Sequence, residues 1–326
     1  MRLSSPQQLL RATFCVTALY LAATTTSLAH ELPTYEVSNT FSADGKPHFP
    51  AINSMTDRLF ASDVGAGTVT LFEASTGMKL AETPTGGGAH TVMVDQRNNV
   101  AYVTNRGANT LSILDGNTNV KLVDIPVGTA PHGIDIDKKR GLLYVSNTGS
   151  NDVSVVDLAT RTVTRTIATG AGPWGVALDR KRRWLYTSNT EEGTVSRIDL
   201  NTGATLAKIT VGGRPWNVKV DQRTHRVYVS NETLGVVSVI RGDAVIASIP
   251  VGLAPHGIML SRKQRVGFAA ATGSNQVTVF DLRTNTVLQQ VPVGIAPTAV
   301  ALDDKENVVY VANQGGGTIS VLTEIE

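Results

Sequence analysis

The chain has 326 residues, 41% of them hydrophobic, and its 29 basic and 27 acidic side chains leave a formal net charge of +2. A chain of this length buries a sizeable core without metals or cross-links, and a charge near zero gives no overall field that attracts polyanions. The single cysteine, Cys15, excludes an intramolecular disulfide framework and any site built from several thiolates.

The first 29 residues have the pattern of an export signal. Arg2 and Arg11 supply positive charge, residues 14–23 are mostly apolar, and small residues end the segment at Ala29. The apolar run is shorter than a retained transmembrane helix requires, although an uncleaved anchor is the alternative. We predict cleavage after Ala29, which leaves residues 30–326 as one periplasmic or secreted domain with no membrane span and no cysteine.

From residue 48 onward one unit recurs seven times. Fifteen residues after its first marker stands Asn in five of the seven copies, and a polar residue, usually Asp, stands five residues after the marker. Three coincident registers with a period in the low forties are typical of four-stranded propeller blades. The markers, spaced by 42 residues except for one interval of 40, are His48, His90, His132, Trp174, Trp216, His256 and Thr298.

Each copy shows two-residue alternation, and no stretch has the period of an amphipathic helix. In the third copy this predicts strands over 133–137, 142–147, 152–158 and 162–169. The seventh copy holds only three strands before the chain ends, and residues 34–41 supply an unassigned one. The sequence therefore predicts an all-β, seven-bladed β-propeller with four antiparallel strands per blade, the last blade being closed by the N-terminal strand.

The second strand of several copies carries a recognisable tetrapeptide. It reads Tyr-Val-Thr-Asn at 102–105, with close variants at 144–147, 228–231 and 310–313. In these segments the chain resembles the YVTN-repeat β-propeller family, and within it the exported, bacterial YncE-like proteins. The resemblance implies a propeller over essentially the whole mature chain and a bacterial export compartment. It implies no single activity, because most such proteins have no assigned reaction and some contact nucleic acid.

The marker residues begin the innermost strands, so they should form a ring at one end of the central channel. Indoles and imidazoles hold aromatic or cationic ligands well. We predict a mouth that binds a small ligand or a periplasmic protein, lined by His48, His90, His132, Trp174, Trp216, His256 and Arg214. The alternative is that these rings only pack the loops together.

A metal-dependent enzyme at the same place is a second reading. His48, His90 and His132 come from consecutive blades, and imidazole suits copper, iron and zinc as a possible transition-metal cofactor. No nucleophile elbow, phosphate loop or dinucleotide fingerprint occurs in the sequence. We therefore predict no catalytic residue, and we interpret the recurring Asn and Asp residues as ties of nearby turns.

The loops that follow the inner strands of copies three to six carry a formal charge of +9. They lie on the face opposite the markers, and such a basic arc is an alternative site for nucleic acid or another polyanion. A solvated surface is the other reading of a charge run. The predicted contact residues are Lys138, Lys139, Arg140, Arg180, Lys181, Arg182, Arg183, Arg262, Lys263 and Arg265.

Overall fold

The structure, a computed structural model, describes residues 32–325, and the predicted signal segment lies outside the described residues. Seven separate four-stranded antiparallel sheets contain all its strands. The described residues include one helical turn, Thr272–Ser274. The strands are β1 (Thr34–Ser42), β2 (Pro47–Asn53), β3 (Arg58–Asp63), β4 (Thr68–Glu73), β5 (Lys79–Pro84), β6 (Ala89–Asp95), β7 (Val100–Asn105), β8 (Thr110–Asp115), β9 (Lys121–Pro126), β10 (Pro131–Asp137), β11 (Leu142–Asn147), β12 (Asp152–Asp157), β13 (Thr162–Ala168), β14 (Pro173–Asp179), β15 (Trp184–Asn189), β16 (Thr194–Asp199), β17 (Thr205–Thr210), β18 (Pro215–Val220), β19 (Val227–Asn231), β20 (Val236–Arg241), β21 (Ala244–Pro250), β22 (Pro255–Ser261), β23 (Val266–Ala271), β24 (Gln276–Asp281), β25 (Val287–Pro292), β26 (Pro297–Asp303), β27 (Val308–Asn313) and β28 (Thr318–Ile325).

Four consecutive strands make each of the first six blades, beginning with β2–β5 and ending with β22–β25. Blade seven joins β26, β27 and β28 to β1, in the order β1-β28-β27-β26. The predicted seven-bladed propeller is therefore confirmed, including its closure by the N-terminal strand. The strands predicted for the third copy agree with β10–β13 to within two residues at every end.

The closing strand β1 is held by contacts with blade six as well as by its backbone pairing with β28. It pairs with β28 from Thr34 opposite Ile325 to Ser42 opposite Thr318. The Tyr35 side chain is 1% exposed and meets the Phe268 ring edge to face at 5.1 Å. Gln289 of blade six accepts a hydrogen bond from the Tyr35 amide at 2.8 Å and donates one to its carbonyl at 2.7 Å. The N-terminal strand thus fastens blade seven to blade six as well.

The core lies between adjacent blades. One hydrophobic cluster, for example, joins Tyr144 and Val155 of blade three to Val176 and Leu185 of blade four. The aromatic and β-branched residues that alternate along each strand face a neighbouring blade, which explains why the repeat favours them. No blade buries its apolar face alone, so the ring must close for all of them to be stable.

A hydrogen bond from the tetrapeptide joins successive blades. The hydroxyl in its third position donates to the carbonyl of the next blade's marker residue: Ser62 to His90 at 2.5 Å, Thr104 to His132 at 2.7 Å, Ser146 to Trp174 at 2.6 Å, Ser230 to His256 at 2.5 Å, and Ser188 to Trp216. Blades six and seven have Ala270 and Ala312 there instead. In blade seven the marker itself, Thr298, donates from the inner strand to the His48 carbonyl at 2.6 Å, which explains why the seventh marker alone is Thr.

The Asn that ends the tetrapeptide caps a turn as predicted in blade five, where Asn231 accepts from the Arg214 and Leu234 amides, but it acts differently in four other blades. Asn147 Nδ2 donates to Asp152 Oδ1 at 2.6 Å and to Ser154 Oγ at 2.9 Å, so it ties the second strand to the third. Asn105, Asn189 and Asn313 make the equivalent bonds to hydroxyl groups. A residue five or seven positions after the Asn lies opposite or diagonal to it on the next strand of the hairpin. Their side chains can therefore form a hydrogen bond. The Asp series does tie turns, as when Asp303 accepts from the Lys305 amide at 2.9 Å.

Substituting Thr104→Val should show what one seam hydrogen bond contributes. The hydroxyl donates to the His132 carbonyl and accepts from the Thr91 amide, so Val leaves both buried groups without that partner. We expect a loss of about 1–3 kcal/mol in the free energy of unfolding, measured by urea denaturation. Thr210→Val, in an exposed outer strand, is the control and should change stability by less than about 0.5 kcal/mol. Equal effects of the two substitutions would contradict the assigned role.

Candidate functional site

The inner strands surround a central channel with two unlike ends. These strands, β2, β6, β10, β14, β18, β22 and β26, all begin near their marker residue and end near the recurring Asp or its substitute. Parallel placement around the axis brings all the markers to one end, which we call the closed end. The loops of the basic arc lie at the other, which we call the open end.

At the closed end the aromatic markers form a continuous series of ring contacts, here called the marker ring, in which most neighbours are tilted and only Trp216 and His256 are stacked. Successive ring centroids are 4.3 Å apart from His48 to His90, 3.5 Å to His132, 3.8 Å to Trp174, 3.4 Å to Trp216 and 4.2 Å to His256. His90 and His132 are only 3% and 2% exposed. The cavity lined by Trp174 and Trp216 holds about 10 Å³, room for one water molecule at most.

Because of this packing, the marker ring blocks its end of the channel. The structure brings the predicted residues together, as expected, but their side chains occupy the space where a ligand would sit. Ligand binding by the ring stays a prediction, and it would require the packed rings to separate. The sequence places these residues on one end of the channel but does not reveal how narrow the channel becomes there.

The ring histidines are held in their neutral form. Burial lowers the pKa of His48 from 6.5 to about 3 and that of His90 and His132 well below 6.5, and the neighbouring imidazoles and Arg106 oppose protonation further. Neutral imidazoles are competent metal ligands. Within residues 32–325, however, no three His, Cys, Asp or Glu side chains converge as a metal site needs. The geometry therefore gives the predicted metal site at His48, His90 and His132 no support.

Arg214 lies outside the ring. Its guanidinium is half exposed and forms a salt bridge with Glu232 at 3.2 Å, and Glu232 in turn is 3.7 Å from His256 Nε2. Arg106 is the cation nearest the indoles, 6.0 Å above the Trp174 ring. Both arginines therefore lie beside the marker ring, and neither lines the cavities of the channel.

Below the marker ring the channel opens into an apolar pocket of about 170 Å³. Its wall includes five of the seven residues that stand three positions after a marker, where the alternation of an inner strand points a side chain at the axis. Sequence reasoning missed this series, although the repeat register alone identifies it. It consists of Ala51, Met93, Asp135, Ala177, Lys219, Met259 and Ala301.

Lys219 is the unexpected member of this series. It lines the apolar pocket and also a second cavity of about 180 Å³ towards the open end, here called the collar. Asp135, the other charged member, forms a salt bridge with Arg180 at 2.6 Å. No carboxylate within residues 32–325 pairs with Lys219. Burial lowers the pKa of Lys219, and the field of Arg180 lowers it further, whereas Asp135 acts in the opposite direction.

The collar leads into a wide basin of about 800 Å³ at the open end. Loops from five consecutive blades form it, and Arg180, Gln222 and Arg262 line both the collar and the basin. Its lining contains one carboxylate, Asp137, against six cations. The cations are Arg97, Lys138, Lys139, Arg140, Arg180 and Arg262.

Half of the predicted basic arc belongs to this basin, namely Lys138, Lys139, Arg140, Arg180 and Arg262. Several charges of the arc are neutralised: Lys138 by Asp95 at 3.0 Å, and Arg140 and Arg183 by Asp137 at 2.9 and 3.1 Å. Lys139 and Arg262 are exposed and form no salt bridge in the described chain. The remaining arc residues, Lys181, Arg182, Arg183, Lys263 and Arg265, lie outside the basin lining.

None of the helical structure in residues 32–325 is long and apolar enough to cross a membrane. A family model described as a YNCE-like beta-propeller matches residues 56–183, which confirms the resemblance found in the tetrapeptides. No curated protein matches the chain. Among solved structures, hydrazine synthase from Kuenenia stuttgartiensis is similar over 85% of this chain and 95% of that chain, with 20% identity and a TM-score of 0.70. At that identity the likeness shows the propeller fold alone.

Proposed function

Because the chain carries a YncE-like β-propeller, we propose that it is an exported binding protein whose ligand is a small anion held in the basic basin. In this proposal the signal is removed after Ala29, and residues 30–326 act as one domain in the periplasm or outside the cell. The observation that carries it is the basin itself: about 800 Å³ of concave surface lined by six cations, of which Arg97, Lys139 and Arg262 form no salt bridge in the described chain. Converging cations of this kind favour an anionic ligand.

The basin is favoured over the marker ring because it offers space and unpaired charge. Lys139 and Arg262 line it from blades three and six, and neither forms a salt bridge in the described chain. The marker ring offers about 10 Å³ and neutral side chains. A metal-dependent enzyme at the ring has no converging ligand set to support it.

Nucleic acid remains the second ligand class for this face. A strand lying across the open end would use the rim residues, Lys181 and Arg265 among them, as well as the basin. A compact anion would use the basin alone. Replacing rim and basin cations separately distinguishes the two ligand classes, because removing a cation that binds a phosphate weakens strand binding and reduces its salt dependence.

The test is calorimetric titration of the mature protein with citrate at low ionic strength. A charge-assisted hydrogen bond contributes about 1.5–3 kcal/mol, so we expect Lys139→Gln with Arg262→Gln to weaken citrate binding at least tenfold. The control is Lys181→Gln with Arg265→Gln, which removes the same charge from the same face but outside the basin. We expect the control to bind citrate almost normally.

Two results would overturn the proposal. One is absence of citrate binding by the unmodified protein. The other is an equal loss in the basin and rim variants, which would indicate a diffuse field. If a single-stranded oligonucleotide binds and loses affinity in the rim variant, the polyanion reading replaces that of a compact anion.

A further inference from the structure

The channel beyond the basin has a form that a simple inorganic anion does not need. From the open end inward, the basin, the collar and the apolar pocket follow one another through shared lining residues. The apolar pocket of about 170 Å³ has walls that include Phe49, Ile52, Met93, Ile258 and Met259. The marker ring closes its far end. The cavity is therefore a blind pocket with a charged entrance.

The charge at the entrance to the pocket is incompletely balanced. Three cations, Lys219, Arg180 and Arg262, and one carboxylate, Asp135, line the collar. Arg180 forms a salt bridge with Asp135 at 2.6 Å, and its guanidinium also donates a hydrogen bond to the Ile136 carbonyl at 2.9 Å. Lys219 is left at the boundary between apolar wall and collar without a carboxylate partner among residues 32–325. A half-buried ammonium in that position loses part of its hydration, which is costly unless an anion pairs with it.

We propose that the ligand is an amphipathic carboxylate, with its anionic head at Lys219 in the collar and a hydrocarbon tail in the apolar pocket. This inference rests on the proposed function and specifies its ligand class. The tail enters first because the marker ring blocks the other end, which leaves the head facing the basin cations. The pocket volume equals roughly six water-sized groups of about 30 Å³, which suits a tail of about six carbons beyond the carboxyl end.

The first test is a titration series of straight-chain carboxylates, from acetate through butanoate and hexanoate to octanoate and dodecanoate. Each buried methylene should raise affinity about fourfold until the pocket is full, and the gain should stop near octanoate. Heptyltrimethylammonium has the same seven-carbon tail and the opposite charge, and it should bind at least tenfold more weakly than octanoate. Equal affinities for acetate and octanoate would overturn the inference.

Two substitutions locate the ligand in the channel. Lys219→Met keeps an unbranched apolar side chain and removes the charge, so octanoate affinity should fall at least tenfold while octanol binding is kept. Lys181→Met, the same change outside the basin, should leave octanoate binding unchanged. Ala51→Leu places extra atoms in the pocket, so it should weaken octanoate binding at least tenfold and leave acetate binding unchanged. Unchanged octanoate binding by either Lys219→Met or Ala51→Leu would refute the assignment.

The outcome also separates this inference from the proposed function. If citrate binds and depends on Lys139 and Arg262 but chain length has no effect, the basin binds anions and the amphipathic ligand is wrong. If octanoate binds and depends on Lys219 while citrate does not bind, the assignment of the pocket is supported. The basin is then only the entrance to the pocket, and the proposed anion site there is wrong. If neither probe binds, both proposals fail.

Discussion

Deleting residues 30–41 is expected to convert the propeller into an open ring that aggregates. The deletion removes nearly all of β1, so β28 loses its ladder from Thr34 to Phe41 and becomes an exposed edge. It also removes Tyr35, whose ring and backbone are bound by Phe268 and Gln289 of blade six. Size-exclusion chromatography should show oligomers, and thermal unfolding should lose its single cooperative transition.

A shorter deletion and a point substitution show which part of the N-terminal segment is responsible for this effect. Removing residues 30–33 stops before β1 and should leave stability unchanged. Tyr35→Ala keeps the strand but empties a fully buried aromatic site, and by analogy with other buried aromatic residues it should cost about 3–5 kcal/mol. A monodisperse 30–41 deletion protein as stable as the parent would show that the ring holds without its closing strand.

Acid should destabilise the protein before most carboxylates titrate, because the marker ring buries neutral histidines. The folded-state pKa of His48 is about 3, against 6.5 for an ordinary histidine, so the unfolded chain binds protons first as pH falls. The contribution is fully present above about pH 6.5 and is lost progressively towards pH 3. Between pH 6.5 and 5 this one residue should remove about 2 kcal/mol from the free energy of unfolding. His90 and His132 act in the same direction.

Urea denaturation between pH 8 and 5 measures this dependence. His132→Phe keeps an aromatic side chain in the marker ring and removes one titrating group, so stability should fall less steeply with acid. Trp174→Phe changes the packing of the ring without removing a titrating group, so its pH dependence should match that of the parent. If His132→Phe and the parent have the same slope, the acid sensitivity does not originate at that imidazole.

The repeat register predicted the fold because one observation constrained every blade. A 42-residue period places the strands, and the missing strand after residue 323 implies the partner found in β1. The same register placed His48 to His256 on one end of the channel. It also contained Lys219, since a residue three after the marker must face the axis, but the prediction of a site used the marker position alone.

What the sequence left open concerns distances across the ring. Whether markers from different blades enclose a ligand or touch one another depends on channel diameter, which no local pattern encodes. The Asn series shows the same difficulty at shorter range. Its composition favoured turn capping, whereas strand register brought Ser154 within 2.9 Å of Asn147. In both the marker ring and the Asn series, contacts with residues on other strands determined the arrangement, and local sequence propensity did not.

The recurring seam between blades also makes the fold extensible. The same hydroxyl and the same carbonyl join blades one to six in succession, as with Ser146 and Trp174. A duplicated 42-residue segment would therefore arrive with both halves of its junctions already matched. Gene-level copying or loss of one unit would change the number of blades and the bore of the channel while preserving the bonds between neighbouring blades. Such a propeller can be resized by recombination rather than by redesign.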